Sequence, residues 1–277
     1  MDLHLRKITI ISLSILLFSC KGEGRKSFLP ALPGYNPSTK DVVVLDKELL
    51  EISGINFIGN GKLVGINDED GKIYIIDQAD GSYKVSTFGR KRDYEDVVKY
   101  GDFYFVLESN GNIHRVPVAA PNSEEEFEFK REKKVEFESL YFDPSINKLM
   151  LLSKEQRESK KGILIFSFDP ITLEFSEDPV FIISLDDVEK AMKDNNTICK
   201  PSAAAIHPIL NKLFVIASVG KVLIQCSIRG EVEKAYQINP NHFPQPEGIC
   251  FAPNGDMYIS NEGMDGKATI RKYLYTP

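Results

Sequence analysis

A short pattern that recurs five times constrains the fold of this chain more than any other feature. Each copy opens with an apolar run that carries Ser or Glu at its second position, and it continues through a turn into a second apolar run that ends in polar residues, as in Pro246–Glu262. The second positions are Ser53, Glu95, Glu138, Ser202 and Glu247, with steps of 42, 43, 64 and 45 residues. A period of about 40–45 residues is the length of one four-stranded propeller blade. The repeat therefore predicts an all-β propeller.

The strand count predicts how this ring closes. Four copies are each followed by two further strand patterns, whereas the fifth is followed only by Thr269–Tyr275 before the sequence stops. The β-branched run Asp41–Leu45 has no partner nearby and supplies the missing outer strand of the fifth blade. An open ring would expose the apolar faces of its terminal blades. We therefore predict a five-bladed propeller over residues 41–277, with six blades as the alternative if the long step hides a degenerate blade.

The long step before the fourth blade contains a helix signal. Ser184 followed by acidic residues is typical of a helix N-cap, and Leu185, Val188 and Met192 share one helical face. The sequence predicts one short helix packed against the rim or a face of the propeller, where it could overhang the fourth blade.

The N-terminal segment has the features of a bacterial lipoprotein signal. Two basic residues precede the apolar run Ile8–Phe18, which is too short to span a bilayer and ends at Ser19 and Cys20. We predict a signal peptide over 1–19, lipid attachment at Cys20, and a flexible tether over 20–40. The predicted location is the bacterial cell envelope, either periplasmic or at the outer membrane, with the membrane contacted through the lipid. The alternative is a plain signal peptide or an anchor with an incidental cysteine.

Charge and cysteine content exclude several classes of function. The net charge of −6 argues against nucleic-acid binding through a basic surface. Cys226 and Cys250 lie in apolar strand patterns and are expected to be buried free thiols. Neither these residues nor Cys199 has the spacing of a zinc site.

The repeat brings carboxylates from four blades to one place. In a propeller blade the first strand lies at the central channel and the second runs back antiparallel to it. The start of the first strand and the end of the second therefore meet on one face near the axis, which we call the axial mouth. The leading candidate ligands there are Glu95, Glu138 and Glu247, followed by Asp68, Glu108, Asn261 and Glu262.

Carboxylates held close together repel one another, and partial burial raises the cost of their charge. Oxygen ligands without Cys or His favour a hard cation, and Ca²⁺ accepts many oxygens in flexible geometry. The sequence therefore predicts calcium in the axial mouth. The alternative is architectural, in which each glutamate caps backbone amides of the neighbouring blade and binds no metal.

Several of these motifs resemble those of the SdiA-regulated propeller family, which is distantly related to the NHL-repeat propellers. The resemblance rests on the openings Ile52–Ile55, Phe137–Leu140 and Pro246–Ile249 and on the endings Asn67–Glu69 and Ser260–Glu262. It extends over about residues 41–277 and implies a five-bladed propeller, a bound calcium ion and no assigned enzymatic activity. The fourth blade departs from the pattern, because Pro201–Ala204 and Ser218 carry no carboxylate. This departure predicts a lopsided site.

The sequence favours a lipid-anchored binding propeller with no catalytic residues of its own. Such a protein would present one face to a protein or small-molecule ligand that the sequence does not identify. The alternative is a calcium-dependent hydrolase, similar to lactonases or phosphoesterases, in which the metal polarises a carbonyl or phosphoryl oxygen at the same site.

Overall fold

The computed structural model describes residues 32–131, 134–156, 162–263 and 266–277. The predicted signal peptide, the lipidation site Cys20 and the first part of the tether lie outside these ranges. Within them, no helix is both long enough and apolar enough to cross a membrane.

In the described part of the chain, twenty strands form five four-stranded antiparallel sheets, arranged as the blades of a β-propeller. The predicted fold class is confirmed, and the six-blade alternative is wrong. Within each blade, strands follow one another from the axis outward. Blade one contains β2 (Ile52–Gly59), β3 (Lys62–Asn67), β4 (Lys72–Asp77) and β5 (Tyr83–Thr87). Blade two contains β6 (Tyr94–Tyr100), β7 (Phe103–Glu108), β8 (Ile113–Pro117) and β9 (Glu125–Phe127). Blade three contains β10 (Phe137–Asp143), β11 (Lys148–Gln156), β12 (Gly162–Phe168) and β13 (Phe181–Ser184).

The last two blades include the strand that closes the ring. Blade four contains β14 (Lys200–His207), β15 (Lys212–Val219), β16 (Val222–Cys226) and β17 (Val232–Gln237). Blade five contains β18 (Pro246–Phe251), β19 (Met257–Asn261) and β20 (Thr269–Tyr275), and its outermost strand is β1 (Tyr35–Val44).

Strand β1 pairs antiparallel with β20, so N-terminal and C-terminal segments share the fifth blade as the sequence predicts. The strand begins at Tyr35, six residues before the predicted start at Asp41 and inside the predicted tether. Two hydrogen bonds fix its ends: the Tyr35 hydroxyl donates to the Gly255 carbonyl oxygen at 2.6 Å, and Leu45 N donates to the Ala268 carbonyl oxygen at 2.9 Å.

The core consists of apolar clusters that lie between neighbouring blades. Five clusters fill the five interfaces, for example around Val64 and Val106 between blades one and two and around Ile55 and Ile270 between blades five and one. Because each blade buries one face against each neighbour, the apolar area removed from water is complete only when the ring closes.

One helix, α1 (Leu185–Met192), occupies the long step. The Ser184 side chain caps it by accepting from Asp187 N at 3.2 Å, as the sequence predicts. Its buried residues Leu185 and Val188 join the cluster between blades three and four, and the helix packs mainly on the outer strand β17. The helix therefore lies at the rim and does not line the mouth cavities described below.

Candidate axial metal site

Each innermost strand begins with a bulge that leaves one residue out of the ladder, or two residues in the first blade. In the second blade Tyr94 pairs with Glu108 and Asp96 pairs with Leu107, so Glu95 has no partner across the strand. The same irregularity occurs at Glu138, Ser202 and Glu247, and at Ser53 and Gly54 in the first blade. A bulge redirects a side chain away from its normal face of the sheet. The bulges account for the exposure of the glutamates at cavities of the axial mouth.

A ring of hydrogen bonds joins the blades around the axis, and it uses serine and aspartate side chains. Every interface has at least one such bond: Ser53 Oγ to the Glu95 carbonyl (2.6 Å), Ser139 Oγ to Asp96 Oδ2 (2.7 Å), Ala204 N to Ser139 Oγ (2.9 Å), Ser202 Oγ to the Pro246 carbonyl (2.6 Å) and Ser260 Oγ to the Ser53 carbonyl (2.9 Å). These contacts close all five interfaces without any glutamate carboxylate.

The three leading candidate carboxylates lie within range of one another's charge. Burial, reinforced by the charges of Glu138, Asp93 and Glu247, raises the pKa of Glu95 to about 9. Burial and the charge of Glu138 also raise the pKa of Glu247 to about 7, although the Ser218 hydroxyl lowers it by hydrogen bonding. Charging these groups together is therefore unfavourable in the absence of a cation.

Asp68, Asn261 and Glu262 lie at the seam between blades five and one. Burial, followed by the charges of Glu51 and Glu262, raises the pKa of Asp68 to about 6. Asn261 is only 1% exposed, yet neither polar atom of its side chain has a hydrogen-bond partner, and Asp68 Oδ1 also has none. Buried polar atoms without partners are costly, so a water or ion that satisfied them would stabilise this seam.

The mouth also contains lysines. Lys154 Nζ lies 2.8 Å from Glu138 Oε1 and 3.5 Å from Glu136 Oε2, and its side chain is 43% exposed. Lys221 Nζ donates to the Ser218 carbonyl oxygen. A metal ion in the mouth would therefore compete with Lys154 for Glu138.

The structure places Glu108 in a separate cluster. Its Oε1 atom lies 2.8 Å from His114 Nε2 and 2.5 Å from Arg92 Nη1. Burial alone would raise its pKa, but His114 and Arg92 outweigh burial and hold the pKa of Glu108 below its usual value. Arg92 holds the Glu108 carboxylate in this cluster. The repeat pattern alone would group Glu108 with the axial carboxylates.

The cluster around Glu108 also contains Glu126, and ligand atoms of Glu108, His114 and Glu126 lie within 4.8 Å of one another. The Arg92 guanidinium already donates to both Glu126 oxygens, at 2.9 and 2.8 Å. An arginine thus supplies the positive charge that a metal would otherwise provide. The sequence alone does not reveal this network, because the charged run 124–134, with only weak apolar alternation, is typical of an exposed outer strand. In the structure, β8 and β9 pair His114 with Glu126.

Replacing Arg92 with Met is expected to lower the free energy of unfolding by about 3 kcal/mol, because it leaves the buried Glu108 carboxylate without its cation. Urea denaturation at neutral pH measures the change. The neighbouring Lys91→Met is a matched control: its side chain is 75% exposed and its ion pairs are on the surface, so it should change stability by less than about 1 kcal/mol. Equal effects of both substitutions would contradict a structural role for the Arg92 cluster.

Two cavities open at the mouth on either side of the Glu138–Lys154 pair. The smaller, of about 200 Å³, lies beside Glu95. The larger, of about 560 Å³, is bordered by Glu138 and Glu247, and we call it the blade-four cavity. It lies at the fourth blade, where Ser202 and Ser218 stand at the positions that carry carboxylates in other blades.

The shortest loop between a second and a third strand borders this cavity. The turn between β15 and β16 contains two residues, Gly220 and Lys221, whereas the corresponding loops of the other blades contain four to seven. Both residues have positive φ, 98° and 55°. This two-residue hairpin turn makes the loop at the mouth shorter in the fourth blade than in the other blades.

Fold and mouth together define a five-bladed β-propeller with an acidic axial site. The chain resembles solved propellers in fold: Myxococcus xanthus glutaminyl cyclase (TM-score 0.55, 9% identity, 86% of this chain and 96% of that one), a luciferin-regenerating enzyme (0.53, 12%, 85% and 95%) and a streptogramin B lyase (0.51, 11%, 84% and 97%). No family model and no curated protein matches it. At these identities the likeness extends to the fold alone.

Proposed function

We propose that this chain is a lipid-anchored binding propeller of the bacterial cell envelope, without enzymatic activity, that holds a calcium ion in its axial mouth. The observation that carries the proposal is the coupled carboxylate group Glu95, Glu138 and Glu247, with the unpartnered Asn261 at the same mouth. Since serine and aspartate hydrogen bonds already join the blades, a structural role for these carboxylates is not required. Anchoring rests on the sequence around Cys20.

The spacing of the donors favours calcium over magnesium. Among the described residues, the axial carboxylates do not bring three ligand atoms within 4.8 Å of one another. An ion bound there would share water and amide or carbonyl oxygens with a few carboxylates. Ca²⁺ accepts six to eight oxygens in irregular geometry, whereas Mg²⁺ requires a near-ideal octahedron. We expect Asp68, Asn261 and Glu262 to complete the coordination at the seam between blades five and one.

Thermal unfolding of the full chain in detergent tests the proposal, with excess EDTA, Ca²⁺ and Mg²⁺ compared. Binding to the folded state alone raises the free energy of unfolding by about 2.7 kcal/mol at a hundredfold excess over Kd. We expect a rise with Ca²⁺ and a much smaller one with Mg²⁺. Metal analysis after EDTA treatment verifies that the reference protein is free of metal. Metal-free protein whose stability is the same with and without Ca²⁺ would refute the calcium site.

A second candidate function is a calcium-dependent hydrolase that uses the same site. It is favoured by the position of Glu247, whose pKa of about 7 suits a general base and whose side chain borders a cavity large enough for a substrate. Turnover of lactones or phosphoesters that is lost in Glu247→Ala would favour this candidate over the binding function.

A further inference from the structure

We propose that the blade-four cavity binds a small organic monoanion with a short hydrocarbon body, which pairs directly with Lys200 and Lys221 and requires no metal ion. The observation that carries this inference is a local excess of positive charge in a chain whose net charge is −6. The inference goes beyond the proposed function, because the ligand is held by lysines of the fourth blade and binds with or without calcium elsewhere in the mouth.

The charges that line the cavity do not cancel. Three lysines and two glutamates border it, namely Lys154, Lys200, Lys221, Glu138 and Glu247. Lys154 Nζ lies 2.8 Å from Glu138 Oε1, so these two charges neutralise each other. The charges that remain are two lysines and one glutamate, an excess of at least one positive charge. A concave surface with an excess of one sign of charge attracts ligands of the opposite sign.

Lys200 and Lys221 both have N–H donors to offer a ligand. An ammonium group has three N–H donors. Among the described residues, Lys221 Nζ donates to the Ser218 carbonyl oxygen, which is a neutral acceptor, and neither lysine forms an ion pair. Lys200 is exposed, whereas Lys221 is half-buried. An anion in the cavity would therefore gain charge-assisted hydrogen bonds without displacing a carboxylate from either lysine.

The other polar groups of the cavity are used within the protein. Glu247 accepts hydrogen bonds from the Ser218 hydroxyl and from the Gln245 side chain. Ser202 Oγ donates to the Pro246 carbonyl oxygen at 2.6 Å. The ligand is therefore recognised mainly by the charge of the two lysines, which act as point charges and lack the planar fork of an arginine. An excess near one charge favours a monoanion over a polyanion such as a phosphate ester.

Part of the cavity wall is apolar. Pro201, Val219 and Pro244 border it, and Val219 is 49% exposed. The aliphatic stems of the lysines add further apolar surface. A volume of about 560 Å³ lies within the range of small-molecule sites. The ligand class that fits both features has one negative charge on a short hydrocarbon body, as in a short-chain monocarboxylate.

Calorimetric titration of the full chain with pentanoate tests the inference, in nonionic detergent and low-salt buffer with EDTA, after subtraction of a titration into detergent alone. Pentanamide has nearly the same shape without the charge, and acetate has the charge without most of the hydrocarbon. We expect pentanoate to bind at least tenfold more tightly than either probe, because each lacks one of the two contributions. Added salt should weaken the binding of pentanoate.

Substitutions of the two lysines test the contacts. Lys221→Gln should weaken pentanoate binding by about tenfold, because this lysine is half-buried, and the exposed Lys200→Gln by about fivefold. Lys234→Gln is the matched control: it changes an exposed lysine on the outer strand of the same blade and should have no effect. Thermal unfolding of each variant without ligand verifies that it is folded.

The outcomes separate this inference from the calcium proposal, because the titration is made in EDTA. Absence of pentanoate binding refutes the anion site, whether or not Ca²⁺ stabilises the chain. Pentanamide that binds as tightly as pentanoate, or lysine variants that bind as the Lys234→Gln control does, would overturn the pairing with Lys200 and Lys221. Binding that requires added Ca²⁺ would also overturn it. A chain that binds pentanoate but is not stabilised by Ca²⁺ would support this inference and refute the calcium site alone.

Discussion

In calcium-free buffer at pH 8, Glu95→Gln is expected to raise the free energy of unfolding by about 1–2 kcal/mol. The substitution keeps the shape of the side chain and removes the need to bind a proton on folding, since burial, Glu138 and Glu247 all disfavour the charged form of Glu95. Most substitutions of a recessed polar residue destabilise a protein, so a gain in stability would be diagnostic. Chemical denaturation in EDTA measures it, and the exposed Glu231→Gln is the control.

The pH dependence of this gain follows from the direction of the pKa shift. The pKa of Glu95 rises from about 4.5 to about 9 on folding. Protonated Glu95 therefore contributes stability that is fully present below about pH 4.5 and is lost as the pH rises through about 9. The difference between Glu95→Gln and the unsubstituted chain should be near zero at pH 4 and should grow steadily to pH 9.

Calcium should reverse the sign of the effect. The ion stabilises the charged form of Glu95, so Glu95→Gln should lose much of the calcium-induced rise in stability while Glu231→Gln keeps it. If the glutamates served only to hold blades together, Glu95→Gln would be destabilising by the same amount with and without Ca²⁺. That result would refute the cation site and leave the architectural alternative.

Much of the fold was predictable because turn chemistry and alternation mark the strands locally. Apolar runs next to turn residues predict third strands at Lys72–Asp77, Gly162–Phe168 and Thr269–Tyr275, and the structure has strands with these bounds. The outer strand of blade two is shorter, Glu125–Phe127, within the predicted segment 124–134. Acidic side chains of this segment pair with His114 and Arg92, a contact between distant positions that the local pattern does not contain.

The candidate site was predictable only in part. The repeat places the second residue of every blade at one end of the axis, so Glu95, Glu138 and Glu247 could be grouped from spacing alone. The bulges that leave these glutamates without a partner in the neighbouring strand could not be predicted. A bulge depends on the register between two strands, which the sequence of one strand does not contain. Glu108 and Glu262 follow their strands in the same way, but Glu108 forms an ion pair with Arg92, whereas burial and the charge of Glu51 raise the pKa of Glu262. These contacts come from other parts of the chain, so the repeat does not predict them.

Asp96 is the residue whose importance the sequence least reveals. It follows Glu95 and resembles any acidic residue near a turn, but the structure buries it at the junction of blades two and three. It accepts from Ser139 Oγ at 2.7 Å, from Leu140 N at 2.9 Å and from Val97 N at 2.8 Å. Ser139 in turn accepts from Ala204 N, so one carboxylate and one hydroxyl connect three blades.

Asp96→Ala is expected to lower the free energy of unfolding by about 3–5 kcal/mol, because it leaves buried donors of blade three without acceptors. Asp96→Asn keeps one acceptor oxygen and should lose less. Urea denaturation measures both, with the exposed turn residue Asp102→Ala as a control expected within about 0.5 kcal/mol of the unsubstituted chain. An Asp96→Ala effect as small as that of Asp102→Ala would show that the axial hydrogen bonds do not hold the ring.

The effect of pH distinguishes this role from that of Glu95. Burial raises the pKa of Asp96 to about 7 against the three hydrogen bonds that lower it. The stability that Asp96 contributes is fully present below about pH 4 and declines as the pH rises through 7. The difference in the free energy of unfolding between the unsubstituted chain and Asp96→Asn should therefore narrow across that range. Calcium should leave this advantage unchanged, because Asp96 is fully engaged between blades. Two adjacent acids would then separate the two functions of the axis, with Asp96 joining the blades and Glu95 binding the ion.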